Sequence, residues 1–158
     1  GQGNANDAAD GSNGTLQNGA TFASGKVGQG FRFDGVNDYA VTASTIITGT
    51  SATTYSAWIK MPSFASSVMI MESTIFRGLG LYSGNPHYPA FIVNSSYYAG
   101  AISSVAVDDN KWHLVTGTAD GSDIRIYIDG VQRGSNTTAL NSTGGVVYIG
   151  GDPASLIF

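Results

Sequence analysis

Residues 108–130, DDNKWHLVTGTADGSDIRIYIDG, constrain the fold of this chain more than any other stretch. Behind Trp112, Leu114 opens an alternating run; Asp120-Gly121 marks a tight turn, and Ile124, Ile126 and Ile128 alternate back. Asp129-Gly130 then turns the chain a second time. Asp-Gly between alternating runs signals a hairpin, because a type I′ turn requires φ > 0. The alternation places Ile124, Ile126 and Ile128 on one face. Such a face is stable only when a second layer covers it.

The rest of the chain repeats this grammar. Short strands are expected at residues 31–33, 39–42, 53–61, 68–73, 75–82, 90–94, 97–103, 131–134 and 146–150, with turn residues between them. In TTYSAWIKM, Tyr55, Ala57, Ile59 and Met61 share one face, and Ser56, Trp58 and Lys60 the other. Pro62 ends that strand, since proline cannot donate to a ladder. Residues 1–20 read as a Gly/Asn-rich loop. No apolar period of 3.6 persists for two helical turns. The 158 residues are read as one all-β domain, a β-sandwich or barrel of ten or eleven short strands.

Composition excludes several roles. Seventeen aromatic residues supply the burial that disordered chains lack. Charged residues make up only 11%, so Ser, Thr, Asn and Gly must build the surface, a composition suited to extracellular β-proteins. The net charge is −4 and no basic stripe exists, which argues against nucleic acid as a partner. Without cysteine there are no disulfides and no thiolate metal sites. No apolar run reaches 18 residues, so no membrane insertion by a helix is expected.

Four pieces, in order, resemble laminin-G-like domains of the concanavalin A-like lectin/glucanase superfamily. They are GTLQNGATFASGKVGQGFRFDGVNDYAV, TYSAWIKM, KWHLVTGTADGSDIRIYIDGV and VYIGG, together spanning roughly residues 12–152. The resemblance implies a jelly-roll β-sandwich of two antiparallel sheets. It also implies an opening apolar strand and a closing strand with an Ile-Asp-Glu-like pair. Neither pattern is present, so the expectation is a sandwich lacking one or both terminal strands, through truncation or because a partner chain covers the open edge.

The resemblance makes calcium the cofactor to consider. Asn4, Asp7, Asp10 and Asn13 supply hard oxygen donors on the N-terminal loop, and Asp34, Asn37 and Asp38 form a second group. Asn and Asp also serve such loops simply by capping backbone N–H groups. A sugar-binding surface is the second candidate. Tyr82, Asn85, His87, Tyr88, Asn94, Tyr97 and Tyr98 crowd one loop-rich region. Their rings offer flat apolar faces for sugar C–H groups, and the amides could bond hydroxyls. Alternatively, alternate tyrosines fill the core. Trp58, mid-strand, is expected in the core, and Trp112 and His113 at structural positions. Sequons at Asn13, Asn94, Asn136 and Asn141 are chance matches in a chain so rich in Asn, Ser and Thr.

Glycoside hydrolysis needs two carboxylates ~5–9.5 Å apart. Glu72 is the only glutamate, with no acid two or four residues away. No nucleotide-binding or HExxH motif occurs, and no Ser-His-Asp pattern is recognisable. The expected function is therefore a non-catalytic carbohydrate- or glycan-binding module of a secreted or surface protein. The partner would be a glycan, or a cell-surface or matrix protein for an interaction or adhesin module. An edge-strand dimer is a further expectation, and a divergent hydrolase using Glu72 the remaining alternative.

Overall fold

The computed structural model describes residues 3–9, 11–48, 52–63, 67–73, 77–82, 87–93, 96–139 and 144–151; for residues 47, 48, 77, 82, 96–99 and 144 it describes the backbone alone. Its strands are β1 (Gly14–Gln17), β2 (Thr21–Ser24), β3 (Gln29–Arg32), β4 (Tyr39–Thr42), β5 (Ile47–Thr48), β6 (Thr53–Ile59), β7 (Val68–Ser73), β8 (Arg77–Tyr82), β9 (Tyr88–Val93), β10 (Ser96–Ile102), β11 (His113–Asp120), β12 (Asp123–Ile128), β13 (Val131–Thr137), β14 (Gly144–Gly145) and β15 (Val147–Ile149). Seven form one sheet in the order β1-β4-β15-β7-β8-β9-β10, and four form a second in the order β13-β12-β11-β6. Two ribbons, β2-β3 and β14-β5, complete the set. Their pairings are antiparallel. The N-terminal stretch expected as pure loop contributes β1, because tertiary pairing of Leu16 with Ala40 fixes a strand that its single apolar residue could not announce.

The central hairpin is β11–β12. Its two-residue turn is Gly121-Ser122, since Asp120 pairs with Asp123. Only Gly121 has positive φ (64°), so the turn is of the II′ kind rather than I′. Asp129-Gly130, joining β12 to β13, has φ of 52° and 80° and is the I′ turn.

Alternation delivers Val115, Ala119, Ile124, Ile126 and Ile128 to the core from the four-stranded sheet, with Tyr55. The seven-stranded sheet supplies Ile70, Leu79, Leu81, Phe91, Val93 and Ala101. Phe91 is fully buried. Its ring packs edge-on against Tyr55, centroids 5.5 Å apart. It also lies over Gly117, where a Cβ would come within 2.3 Å of Phe91 Cγ. Gly117 is paired with Tyr55 on one side and Ile126 on the other, so it forms a notch between two large side chains.

The layers are bonded to each other at one side. There Ser104 N–H donates to Arg133 O (3.0 Å) and Asn136 Nδ2 to Gly100 O (3.0 Å), joining β13 to the β10 edge. That bond engages the Asn136 amide that a glycan would need. At the other side β6 is the outer strand, with no further strand beside it among the described residues.

A polar clamp holds the second turn. Asp129 accepts from Leu114 N–H (2.9 Å) and bonds His113 Nδ1 (2.8 Å), while His113 Nε2 meets Asp109 (3.1 Å). Partial burial opposes charge on His113, but the two carboxylates outweigh it and raise its pKa above the ordinary 6.5. Burial likewise works to raise Asp129, yet its hydrogen bonds to His113 and Leu114 hold it below 3.8. Asp109, bonded first to Lys111 and then to His113, sits well below the usual carboxylate range.

Two outcomes are expected. Gly117→Ala overpacks the notch and lowers unfolding free energy by about 1–3 kcal/mol, measured by urea denaturation. The His113 contribution is complete below its unfolded value near 6.5 and is lost as pH rises through its higher folded value. The Asp129 and Asp109 contributions are present above 3.8 and are lost as pH falls toward their depressed values. Urea midpoints should therefore fall as pH rises above 6.5, and His113→Gln should flatten that decline; an unchanged slope in the variant would refute the clamp.

Candidate functional site

The tyrosines singled out in the sequence lie on β8, β9 and β10, neighbouring strands at one end of the seven-stranded sheet. Tyr82 of β8 stands directly opposite Tyr88 of β9 in the antiparallel register, and Leu81 opposite Pro89. Leu79, Leu81 and Phe91 point into the sandwich, so Tyr88, Ala90 and Ile92 belong to the outer face. Tyr88 is 39% exposed there. Ile102, opposite Ala90 on β10, is exposed on the same face. Tyr97 and Tyr98 lie on β10, the edge strand next to β9, described by backbone alone. Asn85 and Asn94 fall outside the described residues.

His87 departs from the expected role. It is completely buried, and its Nδ1 lies 3.1 Å from Asp108 Oδ2. The same oxygen accepts the His87 backbone N–H at 3.2 Å. Burial pushes Asp108 upward, but the His87 hydrogen bonds outweigh it, and its pKa is lowered. His87 is therefore an anchor, tying the start of β9 to the segment before β11. Nothing in the sequence separated it from the exposed tyrosine beside it, because alternation decides which of two neighbours faces water.

Glu72 of β7 lies on the same outer face, opposite Gly78 and Tyr148, and is only 6% exposed. Neither register neighbour is an acid, and a hydrolytic pair requires a second carboxylate across the scissile bond.

The N-terminal donors are turned onto their own loop. Asp7 accepts from Ala9 N–H (2.9 Å) and Ser12 N–H (3.1 Å), and Asn13 Oδ1 accepts from Asp7 N–H (2.9 Å). Asn4 caps Asn6 in the same way. Asp10 lies outside the described residues. Among the described residues no group of three His, Asp or Glu side chains is placed to hold a metal ion. At the second group, Asp34 accepts from Val36 N–H (2.8 Å) and Asp38 from Asp34 N–H (3.0 Å), which closes a turn.

A second candidate surface was not anticipated. A groove of about 940 Å3 opens between the sheets beside β6, walled by the β2–β3 ribbon and floored by β7. Phe22, Phe31 and Phe33 line it as a contiguous cluster, with ring centroids 5.4 and 5.9 Å apart. Trp58, expected in the core, is instead 45% exposed at its rim, with Lys26 Nζ 5.0 Å from the ring centroid. The signal was present in the sequence: Trp58 shares its strand face with Ser56 and Lys60, the polar face. Among the described residues no helix is long and apolar enough to cross a membrane.

Comparison with known proteins agrees with this architecture. Domain 4 of AbnA, an extracellular arabinanase from Geobacillus stearothermophilus solved in complex with arabinotriose, superposes with a TM-score of 0.66 at 14% identity, covering 97% of this chain and 91% of that one. The binding domain of botulinum neurotoxin DC, in complex with SialylT, gives 0.62 at 15% identity, over 89% of this chain and 38% of that one. The globular domain of Trypanosoma cruzi calreticulin (T. cruzi) gives 0.51 at 10% identity, over 84% and 72%. These likenesses establish the fold. No curated protein sequence matches the chain. A laminin G family model matches residues 34–156, and the chain thus belongs to the concanavalin A-like lectin/glucanases superfamily.

Proposed function

We propose that the chain is a non-catalytic carbohydrate-recognition module, working outside the cell in a secreted or surface protein. The observation that carries this reading is Tyr88, an exposed ring on the outer face of a strand whose first residue is held by the buried His87–Asp108 pair. A rigidly held aromatic offers sugar C–H groups a flat apolar face at little entropic cost, while its hydroxyl stays in water. Tyr82 stands opposite Tyr88 in the register, and β10, which carries Tyr97 and Tyr98, is the next strand of the sheet. Family membership and a neighbouring fold solved with arabinotriose support a saccharide as ligand. Neither register neighbour of Glu72 is an acid, which supports binding without hydrolysis.

A glycan array with the intact chain, followed by calorimetric titration of the best ligand and of arabinotriose, tests the reading. Tyr88→Ala is expected to weaken binding at least tenfold, about 1.4 kcal/mol, while leaving the urea midpoint nearly unchanged. Repeating the titration in calcium and in EDTA reads the N-terminal loop, and loss in EDTA would assign a cation to Asp7, Asp10 and Asn13. A folded chain that binds no glycan in either buffer, or a Tyr88→Ala variant with full affinity, would overturn the assignment.

A further inference from the structure

Both histidines of the chain are bonded to aspartates, and two of those aspartates are consecutive. Asp108 Oδ2 meets His87 Nδ1 (3.1 Å) and accepts the His87 backbone N–H (3.2 Å), one residue before Tyr88. Asp109 meets His113 Nε2 (3.1 Å) and Lys111 Nζ (2.8 Å). The segment that carries the two acids is held on either side. Val107 is fully buried in the core, and Asn110 N–H donates to Met61 O (2.9 Å). Between those fixed points lie only Asp108 and Asp109, joined by one rigid peptide plane. Turning that plane moves both side chains, so Asp109 cannot leave its seat without disturbing Asp108.

We propose that the proton on His113 governs the tyrosine face through this shared peptide. Two carboxylates face the His113 ring, Asp129 at Nδ1 (2.8 Å) and Asp109 at Nε2. Only the imidazolium can donate to both at once; the neutral ring has one N–H and turns a lone pair on the other acid. Asp129 also holds Leu114 N–H (2.9 Å), so it stays, and the exposed Asp109 swings away. Asp108 then turns, and the start of β9 loses the contact that fixes Tyr88. Among the other groups, Lys111 faces Asp109, Arg133 acts on Asp129, and β6 sets the uncharged Ile59 opposite His113, with Lys60 next to it. The folded value of His113 lies above 6.5, so the release comes as pH rises through that value. A less ordered ring binds saccharide more weakly. That last step rests on the saccharide reading of Tyr88. By reciprocity, a saccharide that needs the ordered ring strengthens proton binding at His113 by the same factor.

NMR of the intact chain, followed from about pH 5 to about pH 9, spans the ordinary histidine value. The Tyr88 amide is expected to shift with the midpoint of the His113 ring. Asp129→Asn lowers that midpoint, and the Tyr88 shift should move with it. In Asp109→Asn the amide can accept from a protonated nitrogen or donate to a bare one, so His113 should titrate and Tyr88 should no longer follow. Arabinotriose and the strongest saccharide of the array are then titrated calorimetrically at both ends of the range. Affinity is expected to fall about fivefold at high pH in the intact chain and to stay level in Asp109→Asn. A Tyr88 amide that ignores the His113 midpoint, or follows it undiminished in Asp109→Asn, overturns the proposal. Saccharide affinity that stays level with pH in the intact chain overturns its functional half. A chain that binds no saccharide defeats the recognition reading alone, because the Tyr88 amide decides the coupling without a ligand.

Discussion

The seating of Phe91 in the notch at Gly117 sets how closely the two sheets can approach. A ring from the seven-stranded sheet can lie against the backbone of β11 only where that backbone has no Cβ. Tyr55 and Ile126 on either side then hold the ring laterally. Close packing leaves such a contact no slack, so neighbouring core residues inherit their separation from it. The valine, leucine and isoleucine layers around it are less particular, because volume-conserving exchanges among aliphatic side chains are tolerated.

From that contact outward the two sides of the sandwich diverge. Toward β10 and β13 the layers converge until backbone and amide bonds join them, and Gly134 lies where a Cβ would collide with Ile102 O. Toward β6 they part, and the β2–β3 ribbon walls the gap without filling it. There the half-buried Phe22, Phe31 and Phe33 line a groove beside β6, the outer strand of its sheet among the described residues. The recognition chemistry proposed for this protein uses a sheet face with an exposed ring, Tyr88.

The tyrosine face depends on a buried polar contact. His87 and Asp108 are removed from water and bonded to each other, which fixes the first residue of β9 relative to the segment leading into the central hairpin. A ring on a fixed strand loses little freedom on meeting a ligand, so its contact area is available for affinity. The outer clamp of Asp129, His113 and Asp109 does the same for the hairpin's second turn, but through charge, and so it answers to pH where packing does not.

Local pattern alone was enough to read the strands, the all-β class and the Asp129-Gly130 turn. Period-two alternation and turn residues are short-range properties: residues 39–42 and 68–73 were delimited as the structure has them. The same alternation put Trp58 on a polar face, although its size argued for the core. What pattern could not supply was adjacency. β1 exists because β4 pairs with it, His87 is interior because β9 packs toward Asp108, and the groove exists because the β2–β3 ribbon and β7 meet beside β6. Those relations join residues tens of positions apart, and their free energy lies in contacts that no window of sequence contains. Sequence thus determined which faces were apolar; only tertiary packing decided which of them were covered.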